Sequence, residues 1–141
     1  VTAALITVRR ALRAKLADTI PDADVFDWHS AEQARSLAVV IGQANCTYET
    51  TTMGPASRRQ YREHWQMSVE IMPGECRDSE EAAEVVLTTI DQIQDALAED
   101  PRLGGVDSLI RCTPSTIDIR TEGSGAVGHL RLETVIQETK G

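Results

Sequence analysis

The run Asp78-Ser-Glu-Glu-Ala-Ala-Glu-Val-Val-Leu-Thr-Thr-Ile-Asp-Gln-Ile-Gln-Asp-Ala-Leu-Ala-Glu-Asp-Pro101 decides the fold. In it Ala83, Val86, Leu87, Ile90, Ile93, Ala96 and Leu97 recur at steps of three and four, the period of one apolar helix face. Asp78 can cap the start, and Glu81 three residues later completes a capping box. Glu80, Glu81 and Glu84 fall at the positive end of the helix dipole, where carboxylates are favoured. Pro101 cannot continue a helix and pushes Asp100 out of the helical region. Such a helix must bury its stripe, and the alternating segments on both sides of it are the expected partner.

Upstream, residues 61–71 alternate cleanly. Trp65, Met67, Val69 and Ile71 are apolar, and the residues between them are polar, so one strand face meets the core. Residues 37–46 form a β-branched, mostly apolar run that suits a buried strand, and Gly42 inside it marks either a bulge or a close backbone approach. Between these strands, residues 47–59 carry four threonines, Met53, Gly54, Pro55, Arg58 and Arg59 without periodicity, and read as a long loop. Residues 25–28 read as a short strand after a turn at 20–24. The chain opens with a helix over about 3–17, its stripe formed by Leu5, Val8, Leu12 and Leu16. Arg9, Arg10, Arg13 and Lys15 are assigned to its other faces, as a solvated surface first and an interaction surface second.

Downstream, Leu103-Gly104-Gly105 breaks the chain, 106–112 reads as a strand, Pro114 interrupts it, and 117–121 resumes. The glycines at 123–128 predict a flexible hairpin connection into a last strand over 129–138, with Leu130, Leu132, Thr134 and Ile136 on one face. The expectation is a single α+β domain over 1–141, with a mainly antiparallel sheet packed against two amphipathic helices.

At 141 residues, with 41% hydrophobic and 26% charged, the composition is ordinary for a globular domain. The charges at Arg9 and Arg10 follow the apolar opening, the reverse of a secretory signal, so a soluble chain is expected. No apolar run approaches the roughly 18 residues of a membrane span, so no membrane association is expected. A net charge of −8 makes a general DNA binder a poor candidate, because such affinity comes from cations neutralising phosphates. Cys46, Cys76 and Cys112 are odd in number and far apart, and suit three reduced thiols better than a zinc site or disulfide scaffold. His29, His64 and His129 stand alone, and Asp22, Asp24 and Asp27 have turn and capping uses. The glycine loop joins strand to strand, so no helix N-terminus would receive a phosphate there. No catalytic residue, metal ligand or cofactor is assigned, and an enzyme is not expected.

The segment Ile90 to Val106, ending in Asp100-Pro101-Arg102-Leu103-Gly104-Gly105-Val106, resembles the tail-terminator (tail-completion) proteins of long-tailed bacteriophages. The layout agrees: an amphipathic first helix of the Ala11-Leu-Arg-Ala-Lys-Leu16 kind, a strand pair around a long loop, and a final alternating strand. Local physics alone also accounts for the motif, since Pro101 stops the helix and Gly104-Gly105 permits a tight turn into the strand.

The resemblance implies a virion protein assembled in the host cytoplasm. It would form a ring, six copies in that family, at the head-proximal end of the tail, ending tube polymerisation and joining tail to head. Its partners would be further copies of itself, the tail tube protein and a neck or head-completion protein. DNA would pass through the bore without specific binding, repelled by subunits that each carry −8. Expected interface residues are Tyr48, Met53, Arg58 and Arg59 in the long loop, with Arg62, Arg9, Arg10 and Arg13 as further basic contacts. Alternatives are another neck or tail-tube subunit, a cytosolic small-molecule-binding α+β domain, or an enzyme with a cysteine nucleophile.

Overall fold

In chain order the elements are α1 (Thr2–Thr19), β1 (Asp24–Asp27), β2 (Ala38–Thr50), β3 (Arg59–Met72), α2 (Ser79–Glu99), β4 (Leu109–Glu122) and β5 (Gly125–Lys140). The structure is a computed structural model that describes residues 2–27, 37–50, 59–74, 76–123 and 125–140. Trp28, His29, Met53 and Arg58 lie outside the described residues.

The central helix begins as its sequence requires. Asp78 is extended, and its carboxylate accepts from the Glu81 backbone N–H at 2.9 Å. The return half of the capping box lands one residue early. Glu81 accepts from the backbone N–H of Arg77 at 3.1 Å and from its guanidinium at 2.7 Å, rather than from Asp78. At the other end the Asp100 N–H closes on the Ala96 carbonyl at 3.0 Å. Leu103, Gly104 and Gly105 then take positive φ in succession, which two glycines tolerate freely and Leu103 does not. Leu103 is buried in the core, and that burial offsets its backbone cost.

The sheet order is β1-β2-β3-β5-β4, with β1 parallel to β2 and every other neighbour antiparallel. Leu5, Val8, Leu12 and Leu16 of α1 share one buried cluster with Val86, Ile90, Ile93 and Leu97 of α2. Val39, Ile41, Met67, Val69, Ile71, Leu130, Leu132 and Ile136 supply the sheet side of that cluster. Helix α2 lies mainly over β5 and β4, and α1 over β1. Gly128 permits the close approach, because a Cβ there would collide with Cγ1 of Val86. The expected fold class holds: an α+β domain with two amphipathic helices packed on a mostly antiparallel sheet.

Several boundaries and one core residue differ from expectation. Leu87 is 48% exposed, and Thr89 takes the buried position instead, its hydroxyl satisfied by the Val85 carbonyl at 2.8 Å. The loop expected at 47–59 is shorter, since β2 runs through Thr50 and β3 starts at Arg59. Pro114 does not interrupt β4. The strand lies at the sheet edge, where a missing N–H is tolerated, and the ladder slips between Pro114 and Thr116. That strand starts at Leu109 rather than at 106, with a further slip between Leu109 and Arg111. The glycine-rich hairpin connection is tight and shorter than the 123–128 expected, because Glu122 already pairs with Gly125. Gly42 marks a bulge, between Ile41 and Ala44.

These positions give different expectations for two neighbouring leucine-like sites. Ile90→Asp should abolish folding, since an unpaired buried carboxylate costs several kcal/mol. Leu87→Asp should change stability by less than about 0.5 kcal/mol. Thermal melts of the two variants check the assignment, and equal losses would refute it.

Candidate assembly surface

Four of the expected contact residues, Arg9, Arg10, Arg13 and Tyr48, separate into very different surroundings. Arg9 is buried, only 1% exposed, and so is withdrawn from the expected basic surface. Its Nε donates to Asp27 Oδ1 at 2.9 Å, and its two terminal nitrogens reach the carbonyls of Gly42 and Ile41, each at 2.9 Å. Those carbonyls lie at the β2 bulge, where the ladder to β3 slips. Burial pulls the Arg9 pKa down, while the hydrogen bond and charge of Asp27 oppose that shift. Arg10 and Arg13 are exposed on α1. Lys15 bonds Asp100 at 3.4 Å, placing a cation at the C-terminal end of α2.

Tyr48 and Arg62 lie on a ribbon that continues past the core. Among the residues whose burial is described, Glu63, Ile136 and Leu109 form the last buried row of the sheet. Beyond it β3 and β5 stay paired for four more residues, out to Arg59 and Lys140. Strand β2 accompanies them as far as Thr50, opposite Tyr61. At roughly 3.4 Å per residue the extension reaches about 14 Å. Tyr48 is directly opposite Glu63, on the helix side of the sheet, yet is 57% exposed, so the helical layer stops short of it. Arg62 points to the other face, and its Nε is buried with no acceptor among the described residues.

The sheet face away from the helices is the surface that sequence reasoning missed. Register puts Arg62, His64, Gln66, Ser68 and Glu70 of β3 there, beside Val127, His129, Arg131, Glu133 and Val135 of β5. From β4 come Arg111, Asp118 and Arg120. Arg111 holds Glu133 at 3.2 Å, and His64 stands 4.0 Å from the same carboxylate. Arg120 and Arg131 are exposed and form no ion pair among the described residues. The signal was available: the alternation that sends Leu130 and Leu132 inward sends Arg131 outward.

The thiols divide by burial. Burial pushes the Cys112 thiol up to about 11, a hydrogen bond from the Thr134 hydroxyl only partly opposing it. Burial, reinforced by the Glu63 carboxylate, raises Cys46 as well. Neither is poised as a thiolate nucleophile near neutral pH. Among the described residues, no three His, Cys, Asp or Glu side chains converge as a metal site. No described helix is long and apolar enough to cross a membrane.

Comparison with protein-family models gives no match, and no curated protein matches the sequence.

Two measurements follow from this geometry. Arg9→Ala should cost about 3–5 kcal/mol, because it strands Asp27 and two carbonyls, whereas Arg13→Ala should be near neutral. Denaturant titration reads both, and an undisturbed Arg9→Ala midpoint would overturn the assignment. For Cys112, a raised folded pKa means full stability below the ordinary thiol range and a loss as pH climbs toward about 11. At pH 8 Cys112 should therefore label only through unfolding. Rapid labelling of Cys112 in native protein would contradict its burial.

Proposed function

We propose that this chain is a structural virion subunit of the tail-terminator kind. It assembles side by side into a ring at the head-proximal end of a long phage tail. The ring ends tube polymerisation, meets the tail tube protein on one side and a neck or head-completion protein on the other, and lets DNA through its bore without specific binding. The observation that carries this reading is the ribbon of β2, β3 and β5 that outruns the helical layer. Two or three strands without a packed layer have little stability of their own, so such an extension is best accounted for by a neighbouring surface. Tyr48 stands exposed on one face of it, and near its base Arg62 Nε has no acceptor among the described residues. A second copy or an adjoining ring would cover the first and satisfy the second. The resemblance at 90–106 supports the same reading independently of the ribbon.

Electron microscopy of the purified chain tests the ring directly, with closed rings expected. Replacing Tyr48 and Arg62 together by alanine tests the ribbon: the variant should remain folded but no longer end or join tails. Normal infectious particles built with that variant would sink this role for the ribbon.

A further inference from the structure

The outer edge of β4 is half covered and half open. Along its first half the chain closes the edge itself. The Cys112 N–H donates to the Pro101 carbonyl at 2.7 Å, and Arg102 Nε donates to the Leu109 carbonyl at 3.1 Å. Beyond the slip at Pro114, the pattern follows from the tight turn. Glu122 and Gly125 close a two-residue connection and so exchange both backbone hydrogen bonds. Alternation then points the backbone N–H and C=O of Arg120 and Asp118 at β5, and those of Thr121, Ile119 and Ile117 away from the sheet. No group among the described residues meets these three outward pairs. Ile117, opposite buried Leu130, stands on the helix side yet is 44% exposed. An open edge of this kind is a template for another strand.

The open edge is complementary to itself. Set antiparallel to a second copy about Ile119, its outward residues meet as hydrogen-bonded pairs, Ile119 with its own counterpart and Ile117 with Thr121, each pair exchanging both backbone bonds. The same register sets Asp118 of each copy opposite Arg120 of the other, on the outer face where both are exposed. Within the chain their cross-strand neighbours are His129 and Val127, and neither forms an ion pair among the described residues. Centring the pairing one residue earlier or later would instead oppose Asp118 to Asp118 or Arg120 to Arg120.

Exposed Leu87 falls at the same seam. Ile20 and Leu37 line a cleft with Val85, Thr88 and Gln92, so that flank of α2 faces α1. Leu87 lies on the opposite flank, toward the β4 edge. Val86 stands over Gly128, the partner of Ile119, so Leu87 is level with the centre of the pairing. Helix α2 lies over β5 and β4. A strand spacing of about 4.8 Å therefore sets the two α2 axes about 10 Å apart, an ordinary helix-packing distance. We propose that two copies of this chain pair two-fold through residues 117–121 of β4, with Asp118 of each against Arg120 of the other and the two Leu87 side chains closing over the seam. The occupant is a second copy because one register answers the opposite charges, the exposed apolar groups and the open backbone together. The contact is isologous and closes at two copies, so it goes beyond the ring reading and does not depend on it.

Sedimentation velocity on the full chain tests the pairing by charge exchange at these two exposed positions. Asp118→Arg alone sets like charges opposite each other on both sides of the two-fold, and so does Arg120→Asp alone. Each should raise the dimer dissociation constant about tenfold or more. The double exchange Asp118→Arg with Arg120→Asp restores opposite charges and should dimerise like wild type. An equimolar mixture of the two single variants should do so as a heterodimer. Unfolded protein could not give either rescue. Leu87→Asp, near neutral for the dilute single chain, should weaken the dimer as well. If the single variants associate like wild type, or either rescue fails, the pairing is wrong while a ring remains possible by another surface. A wild-type chain that stays monomeric, or that forms rings unchanged by either exchange, also overturns the pairing. Wild-type dimers that never build rings would support the pairing and count against the ring reading.

Discussion

The guanidinium of Arg9 fixes the relation between α1 and the first two strands. A bulge in β2 turns the Ile41 and Gly42 carbonyls away from the regular ladder, and a buried carbonyl needs a donor. Arg9 supplies two donors to them and directs its remaining edge at Asp27, the last residue of β1. A parallel pairing of only four residues gains little from its own hydrogen bonds. The ion pair anchors that strand to the helix that covers it. A buried pair of this kind adds modest net stability, but it makes alternative placements of α1 costly, because any shift would strand a charge.

One layer of helices on one sheet face has a further result. The main hydrophobic cluster lies on one side, and the other side of the sheet carries charged residues, with Val135 as its buried apolar exception. Cys112 and Thr134 fill the core near β4 with small polarisable and hydroxyl groups whose needs are met locally. Glu63 is the exception on the inner face. It is buried and accepts from the Trp65 indole at 2.8 Å, closing the core where the helices end.

Much of this was legible in the sequence because period and capping are local properties. The α2 cap, the Pro101 stop, the inward residues of β3 and β5, and the Gly42 bulge all follow from neighbours within a few positions. Leu87 was misread because two overlapping sets of three- and four-residue steps fit the same helix, and a satisfied threonine can occupy the buried one. Arg9 lies within the arc of Leu5, Leu12 and Leu16, so its inward position was readable. Its partners were not, being 18 and more residues away. Pro114 could be placed only once β4 was known to be an edge, which is a fact of topology rather than of local sequence. The arginine face was missed for a related reason: its members come together only through strand register.

The order β2-β3-β5-β4 also sets how the chain must come together in time. Strands β4 and β5 are joined by a tight turn and can zip locally, and β2 and β3 are consecutive in the chain. The seam between β3 and β5 instead joins residues as distant as Arg59 and Lys140, with α2 and β4 lying between them in sequence. Closing that interval costs chain entropy before its long ladder returns anything. The rate of folding is therefore governed by one docking event, in which α2 carries a preformed hairpin onto the middle of the sheet. Until then, the inner edges of β3 and β5 are open templates for the wrong neighbour.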